Sequence, residues 1–156
     1  MKNIEVSLDT SDSNIVIIIS RFNNFINNNL LNGSINTLKR IGKIKDENIT
    51  IIWVPGAYEI PLIAKKLAIS KKYNAIITLA TIIKGNSSHF KFVAKECSYG
   101  LSLISIETLI PITLGILITK NIEQAIERAG TKLGNKGSEA ALAALEMINL
   151  LKILKK

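Results

Sequence analysis

The chain contains one histidine, His89, and the residues leading to it suggest a chemistry. Thr81-Ile82-Ile83-Lys84-Gly85-Asn86-Ser87-Ser88-His89 runs from an apolar stretch through a glycine turn into a helix-like pattern. Such a junction presents several backbone N–H groups to one point, the geometry that holds a phosphate. A histidine in the first helical turn would face that point. The positive end of the helix favours the neutral imidazole, which can take a proton near neutral pH. A solvent-exposed histidine at a helix start fits the same stretch. The loop also lacks both the Gly-x4-Gly-Lys-Ser/Thr and the Gly-x-Gly-x-x-Gly patterns, so it does not specify a nucleotide by itself.

Two further stretches can supply partners. Arg21-Phe22-Asn23 and Gly56-Ala57-Tyr58-Glu59 each follow an apolar run rich in β-branched residues. Phe22 and Tyr58 can sandwich a flat ring, and Glu59 can accept hydrogen bonds from a ring N–H or a hydroxyl. Packing alternatives exist: Phe22 as a staple onto the next helix, Glu59 as an acid favoured at a helix N-terminus. One His and one Cys do not make a metal-ligand set, so no metal is expected. Gly-x-Ser-x-Gly is absent, which argues against a serine triad. Cys97 falls on the apolar stripe of a helical pattern and reads as core.

The elements that must position these residues follow from periodicity. Asn14 to Ser20, Asn48 to Val54, Ala75 to Ile83 and Pro111 to Ile118 are apolar runs read as four strands, the first buried on both faces and the second buried as well. Residues 3 to 8 alternate weakly and suggest a short edge strand. Helical patterns follow each of the four runs: Ile26, Leu30, Ile35, Leu38 and Ile41; then Ile60, Ile63 and Leu67; then Phe90, Val93, Cys97, Leu101 and Ile104; then a segment opened by the capping box Asn121-Ile122-Glu123-Gln124. Asn23 or Asn24 can cap the first helix, and Asn27-Asn28-Asn29 reads as its solvated face. Three glycines between Gly130 and Gly137 separate the last short helix from an Ala/Leu-rich one running from Ser138 to about Lys155. Strand ends spaced by about 30 residues fit βαβ units with right-handed crossovers. The expected fold is α/β: a three-layer sandwich, a four-stranded parallel sheet flanked by helices, flavodoxin-like, in one domain spanning residues 1–156. In such sheets ligands bind beyond the carboxyl ends of the strands, where the three candidate stretches lie.

Composition narrows the function classes. The net charge of +8 comes from 17 Lys and only 3 Arg, beside 29 Ile and 15 Asn. All three abundant types use A/T-rich codons, so drift explains the basic balance. No basic stripe interleaved with aromatics is present, so no nucleic-acid partner is expected. The stretch Leu101 to Ile118 is broken by Glu107 and Pro111, which argues against a membrane span. The N-terminus has no apolar signal-peptide core, and the single cysteine fits a reducing compartment, so a cytoplasmic location is expected.

Taken together, Arg21-Phe22-Asn23, Pro55-Gly56-Ala57-Tyr58-Glu59-Ile60-Pro61, the stretch ending in His89, Ile122-Glu123-Gln124-Ala125-Ile126-Glu127-Arg128-Ala129-Gly130-Thr131-Lys132 and Gly134-Asn135-Lys136-Gly137 resemble the 6,7-dimethyl-8-ribityllumazine synthase family over nearly the whole chain. The resemblance implies condensation of 5-amino-6-(D-ribitylamino)uracil with 3,4-dihydroxy-2-butanone 4-phosphate, the penultimate step of riboflavin synthesis, with no cofactor. It implies that Phe22 stacks on the pyrimidine and that Ala57, Tyr58, Glu59, Thr81, Ile82 and Ile83 bind the uracil and ribityl groups. Asn86 and Ser87 occupy phosphate-loop positions, His89 transfers a proton, and Arg128 of a neighbouring subunit pairs with the phosphate, with Lys136 adding charge nearby.

Read from this chain alone, Arg128 instead fits a cation near a helix C-terminus. The chain departs from the family pattern at Ala80, Lys84, Asn86, Ser87 and Leu114. Lys84 stands where Arg is expected, and Leu114 where a Phe of the next subunit packs on the substrate. Members form pentamers, some assembling twelve into a sixty-subunit shell that can enclose riboflavin synthase. A non-catalytic cage or flavin-related binding protein on the same fold is the alternative reading.

Overall fold

The computed structural model describes residues 1–155. Four strands, β1 (Ile15–Ser20), β2 (Ile49–Val54), β3 (Ala75–Ile83) and β4 (Ile112–Thr119), form one sheet in the order β2-β1-β3-β4, every pairing parallel. Between them run α1 (Asn24–Arg40), α2 (Ile60–Ser70) and α3 (His89–Thr108). After β4 come α4 (Ile122–Glu127), a small antiparallel hairpin of β5 (Ala129–Thr131) and β6 (Gly134–Asn135), and α5 (Lys136–Leu154). This is the expected three-layer α/β sandwich.

β1 shows why the sheet is covered on both faces. All six of its residues are buried. Ile15, Ile17 and Ile19 pack with α1 and α5 residues, including Leu30, Leu38 and Leu145, while Val16 and Ile18 pack with Ile60, Ala64 and Leu101 of α2 and α3. Alternate side chains of a strand point to opposite faces, so a run of β-branched residues serves two cores at once.

β2 differs from expectation: it is an edge strand, and Ile51 and Trp53 are exposed. Its apolar run resembles that of β1, but with one neighbour instead of two it lacks cover. No strand forms at residues 3 to 8 either. That segment is tethered to the body by polar contacts: Asn149 Nδ2 donates to the Ser7 and Asp9 carbonyls at 2.6 and 2.9 Å, and Lys152 pairs with Asp12 at 3.1 Å.

Helix boundaries follow local chemistry. Pro61 lies in the first turn of α2, where its missing N–H is harmless. The cap of α4 is reciprocal but shifted by one residue: Gln124 N–H donates to Asn121 Oδ1 at 2.9 Å, and Gln124 Oε1 accepts from the N–H of Lys120, which precedes the cap, at 2.9 Å. α5 starts two residues before expectation because Asn135 caps it, its Oδ1 accepting from Ser138 N–H at 3.1 Å. α2 and α3 end on residues with left-handed backbone, Lys71 (φ 55) and Leu109 (φ 57), and Lys43 after α1 has φ 57. Glycine is the usual occupant of such positions.

Candidate active site

The order β2-β1-β3 places a topological switch between β1 and β3. α1 leaves β1 toward one face, and α3 leaves β3 toward the other, so a crevice opens beyond the strand ends. A cleft of about 490 Å³ lies there.

Three strand ends line it. β1 contributes Ser20, then Phe22 and Asn23; the loop after β2 contributes Pro55 through Glu59; β3 contributes Thr81, Ile82 and Ile83; and α3 closes it with His89, Phe90 and Val93. Of the predicted site residues, Phe22, Ala57, Tyr58, Glu59, Thr81, Ile82, Ile83 and His89 therefore meet in one chain. Ala57, Tyr58 and Glu59 form a short 3-10 turn leading into α2. His89 is the first residue of α3, as the turn-helix pattern predicts. Phe22 and Tyr58 are 72% and 63% exposed. Two aromatic rings left this open beside an apolar floor make a platform for a flat ligand.

Asn86 and Ser87 are exposed and lie on the loop before His89, outside the cleft lining. Ser87 Oγ accepts from His89 N–H at 3.3 Å, which ties the loop to the start of α3. Among the described residues, no hydrogen bond engages the backbone N–H groups of residues 85 to 88. They are available to an anion at the N-terminus of a twenty-residue helix.

Leu114, Arg128 and Lys136 do not join this cleft. Leu114 pairs in register with Thr78, three residues before Thr81 along β3, so it sits roughly 10 Å down the sheet from the cleft rim. Arg128 and Lys136 line a separate hollow of about 420 Å³ with Ile116, Leu117, Ile118, Leu133 and Glu139. The antiparallel β5–β6 hairpin holds it together: Lys136 N–H donates to Arg128 O at 2.9 Å, and Lys136 Nζ lies 3.7 Å from Glu139. One chain thus carries an aromatic cleft and, apart from it, a guanidinium and an ammonium.

Two residues in and under the cleft have roles that the sequence reading did not give them. Asn23 stands at the N-cap position of α1, one of the two expected, but makes no side-chain cap bond; its Nδ2 donates instead to the Thr81 carbonyl at 2.8 Å. Asn27, expected on a solvated face, is fully buried. Its Nδ2 donates to the Ser20 and Phe22 carbonyls at 2.8 and 2.9 Å, and its Oδ1 accepts from Thr81 Oγ1 at 2.6 Å. The only available signal was its place four residues after Asn23, on the stripe of Ile26 and Leu30, where a polar residue needs buried partners.

Cys97 is in the core, and burial pushes its thiol up to about 12, so it takes no part in the chemistry of the cleft. Among the described residues, no group of His, Cys, Asp and Glu could hold a metal, and no helix is long and apolar enough to cross a membrane.

Comparison with known proteins bears on this arrangement. Residues 12–152 match the family model for 6,7-dimethyl-8-ribityllumazine synthase. A protein of that name from Blochmanniella pennsylvanica is 63% identical over 155 residues, covering 99% of this chain and 98% of the relative. Those from Pectobacterium atrosepticum and Sodalis glossinidius are 58% and 56% identical, each across 99% of this chain and 100% and 99% of the relative. With the family model spanning most of the sequence and such relatives matching end to end, the chain belongs to the 6,7-dimethyl-8-ribityllumazine synthase family.

Proposed function

We propose that this chain is a transferase of riboflavin biosynthesis that condenses 5-amino-6-(D-ribitylamino)uracil with 3,4-dihydroxy-2-butanone 4-phosphate. The 5-amino group attacks the ketone, and loss of water gives an imine. Elimination of inorganic phosphate leaves an enol that tautomerises to a carbonyl, and attack of the second amine on that carbonyl, with loss of a second water, closes the ring of the lumazine. One observation carries the assignment of the site: two exposed aromatic rings, a carboxylate and the only imidazole converge at the sheet's switch point.

Phe22 stacks on the pyrimidine, while Ala57, Tyr58 and Glu59, with the Thr81–Ile83 edge, bind its polar rim and the ribityl chain. His89 shuttles protons between the amine and the leaving groups. Asn86 and Ser87 receive the phosphate at the start of α3. Most of the acceleration comes from holding two reactants in near-attack geometry. Arg128 of an adjacent copy pairs with the phosphate in a bidentate fork, Lys136 adds charge, and Leu114 supplies apolar contact.

Sharing the site between copies makes the protein a cytoplasmic homo-oligomer, a pentamer able to build a shell around riboflavin synthase. Exposed apolar side chains support that reading. Phe92, Tyr99, Leu103 and Ile106 lie along α3, Ile118 and Leu133 line the Arg128 hollow, and Ile122 and Ile126 lie on α4. The deciding test is turnover of the two substrates followed by lumazine fluorescence. Product formation well above the uncatalysed background is expected; a background rate would leave only a cage, and a monomer by light scattering would break the shared site.

A further inference from the structure

Phe22 offers an exposed ring on a backbone held at both polar atoms. Its N–H donates to the Pro55 carbonyl at 3.2 Å, and its own carbonyl accepts from Ser20 Oγ at 3.3 Å and Asn27 Nδ2 at 2.9 Å. Asn27 binds the Ser20 carbonyl and the Thr81 hydroxyl as well, at 2.8 and 2.6 Å, from a position with 0% exposure. The bonds thus run from α1 to the end of β1 and to β3, and Asn23 adds a second link from the same turn to Thr81. An apolar residue could fill this space, so packing alone does not call for an amide. What the amide adds is register: it fixes the turn, including Asn23 at φ 63, against the end of the neighbouring strand β3, which also lines the cleft.

We propose that Asn27 is a positioning residue for the condensation, acting through Phe22. It sets where the ring stands relative to the Thr81–Ile83 edge, and thereby the affinity for the pyrimidine. The inference rests on the assignment of this cleft to the pyrimidine substrate. Stacking is short-ranged, and a displacement of about 1 Å is enough to lose much of it. The phosphorylated substrate, held by other groups, is not touched by the clamp.

The experiment is a double-mutant cycle on the full chain, with Asn27→Ser, Phe22→Ala and both together, reading KM for each substrate and the melting temperature. Asn27→Ser removes the donors to Ser20 and Phe22. It should raise KM for the pyrimidine on the order of tenfold and leave KM for the phosphorylated ketone within about twofold. In the Phe22→Ala background the same change should add less than about twofold, because the ring it positions is gone. Equal effects in both backgrounds, or a lower melting temperature with both KM values unchanged, would overturn the proposal and leave Asn27 a purely structural residue. If Asn27→Ser does not fold, Thr81→Val decides. It removes the Asn27 oxygen's partner at a residue that also lines the cleft, so the coupling is the readout: the same KM should rise in the Phe22 chain but not in Phe22→Ala, and an unchanged KM or an equal rise in both backgrounds would overturn the proposal. An unmodified chain that neither binds the pyrimidine nor turns it over refutes the cleft assignment itself, before any variant is made.

Discussion

Gly137 gives the sharpest test of how the hairpin flanked by Arg128 and Lys136 is held. It opens α5 against the middle of α1. A Cβ built there would lie 2.7 Å from the Leu30 carbonyl carbon and 2.9 Å from its Cα, and closer still to its oxygen. These are backbone atoms, so no side chain can swing aside. Ordinary contact begins near 3.4 Å, so Gly137→Ala would force the two helices apart by roughly 1 Å. The buried bond from Ser34 Oγ to the Gly137 carbonyl, 2.7 Å long, would stretch with them.

Overpacking of this kind costs about 1–3 kcal/mol, and weakening a buried hydrogen bond adds about 1 kcal/mol. The gain from a better helix former is at most about 1 kcal/mol and smaller in a first turn. The net loss is about 1–4 kcal/mol, or about 2–15 °C in Tm for a chain of this size. Scanning calorimetry of the purified assembly, at matched protein concentration, measures it. A Gly137→Ala protein within about 0.5 kcal/mol of the parent would refute the argument, since it would mean that α1 and α5 are not in the contact described.

Other expectations follow from the site. Arg128→Ala should raise the apparent KM for the phosphorylated substrate about tenfold or more while leaving that for the pyrimidine nearly unchanged, as steady-state kinetics with each substrate varied will report; equal effects would contradict its role. Cys97 should resist iodoacetamide at pH 8 in the native protein and react at once in denaturant, because its thiol is buried and titrates near 12; mass spectrometry reads the adduct, and prompt native labelling would place the residue outside the core.

The sequence made the skeleton legible because burial writes itself into periodicity. The runs ending at Ser20, Val54 and Ile83 mark three strand ends, and the cleft lies at those ends. The cap at Asn121 is a local device, readable without tertiary knowledge. What was not legible depended on neighbours. β2 and β1 have nearly the same composition, and only the sheet order makes one an edge. The three consecutive asparagines look alike in sequence, yet Asn27 is buried beneath Phe22 while Asn28 and Asn29 are exposed. The wide separation of Leu114, Arg128 and Lys136 from the aromatic cleft is likewise a tertiary fact.

The left-handed helix ends carry a consequence at the level of the genome. Glycine codons begin with two G bases, whereas Lys, and one Leu codon, are written almost entirely in A and T. At Lys43, Lys71 and Leu109 the backbone takes the conformation that suits glycine, with side chains that do not. Each such residue costs roughly 1 kcal/mol more than a glycine would there, about 3 kcal/mol in all against a typical domain's 5–15. A chain written mainly in A/T-rich codons thus carries a smaller folding margin, given up at helix ends and turns outside the cleft. The next destabilising change, wherever it falls, then meets a chain with less tolerance left.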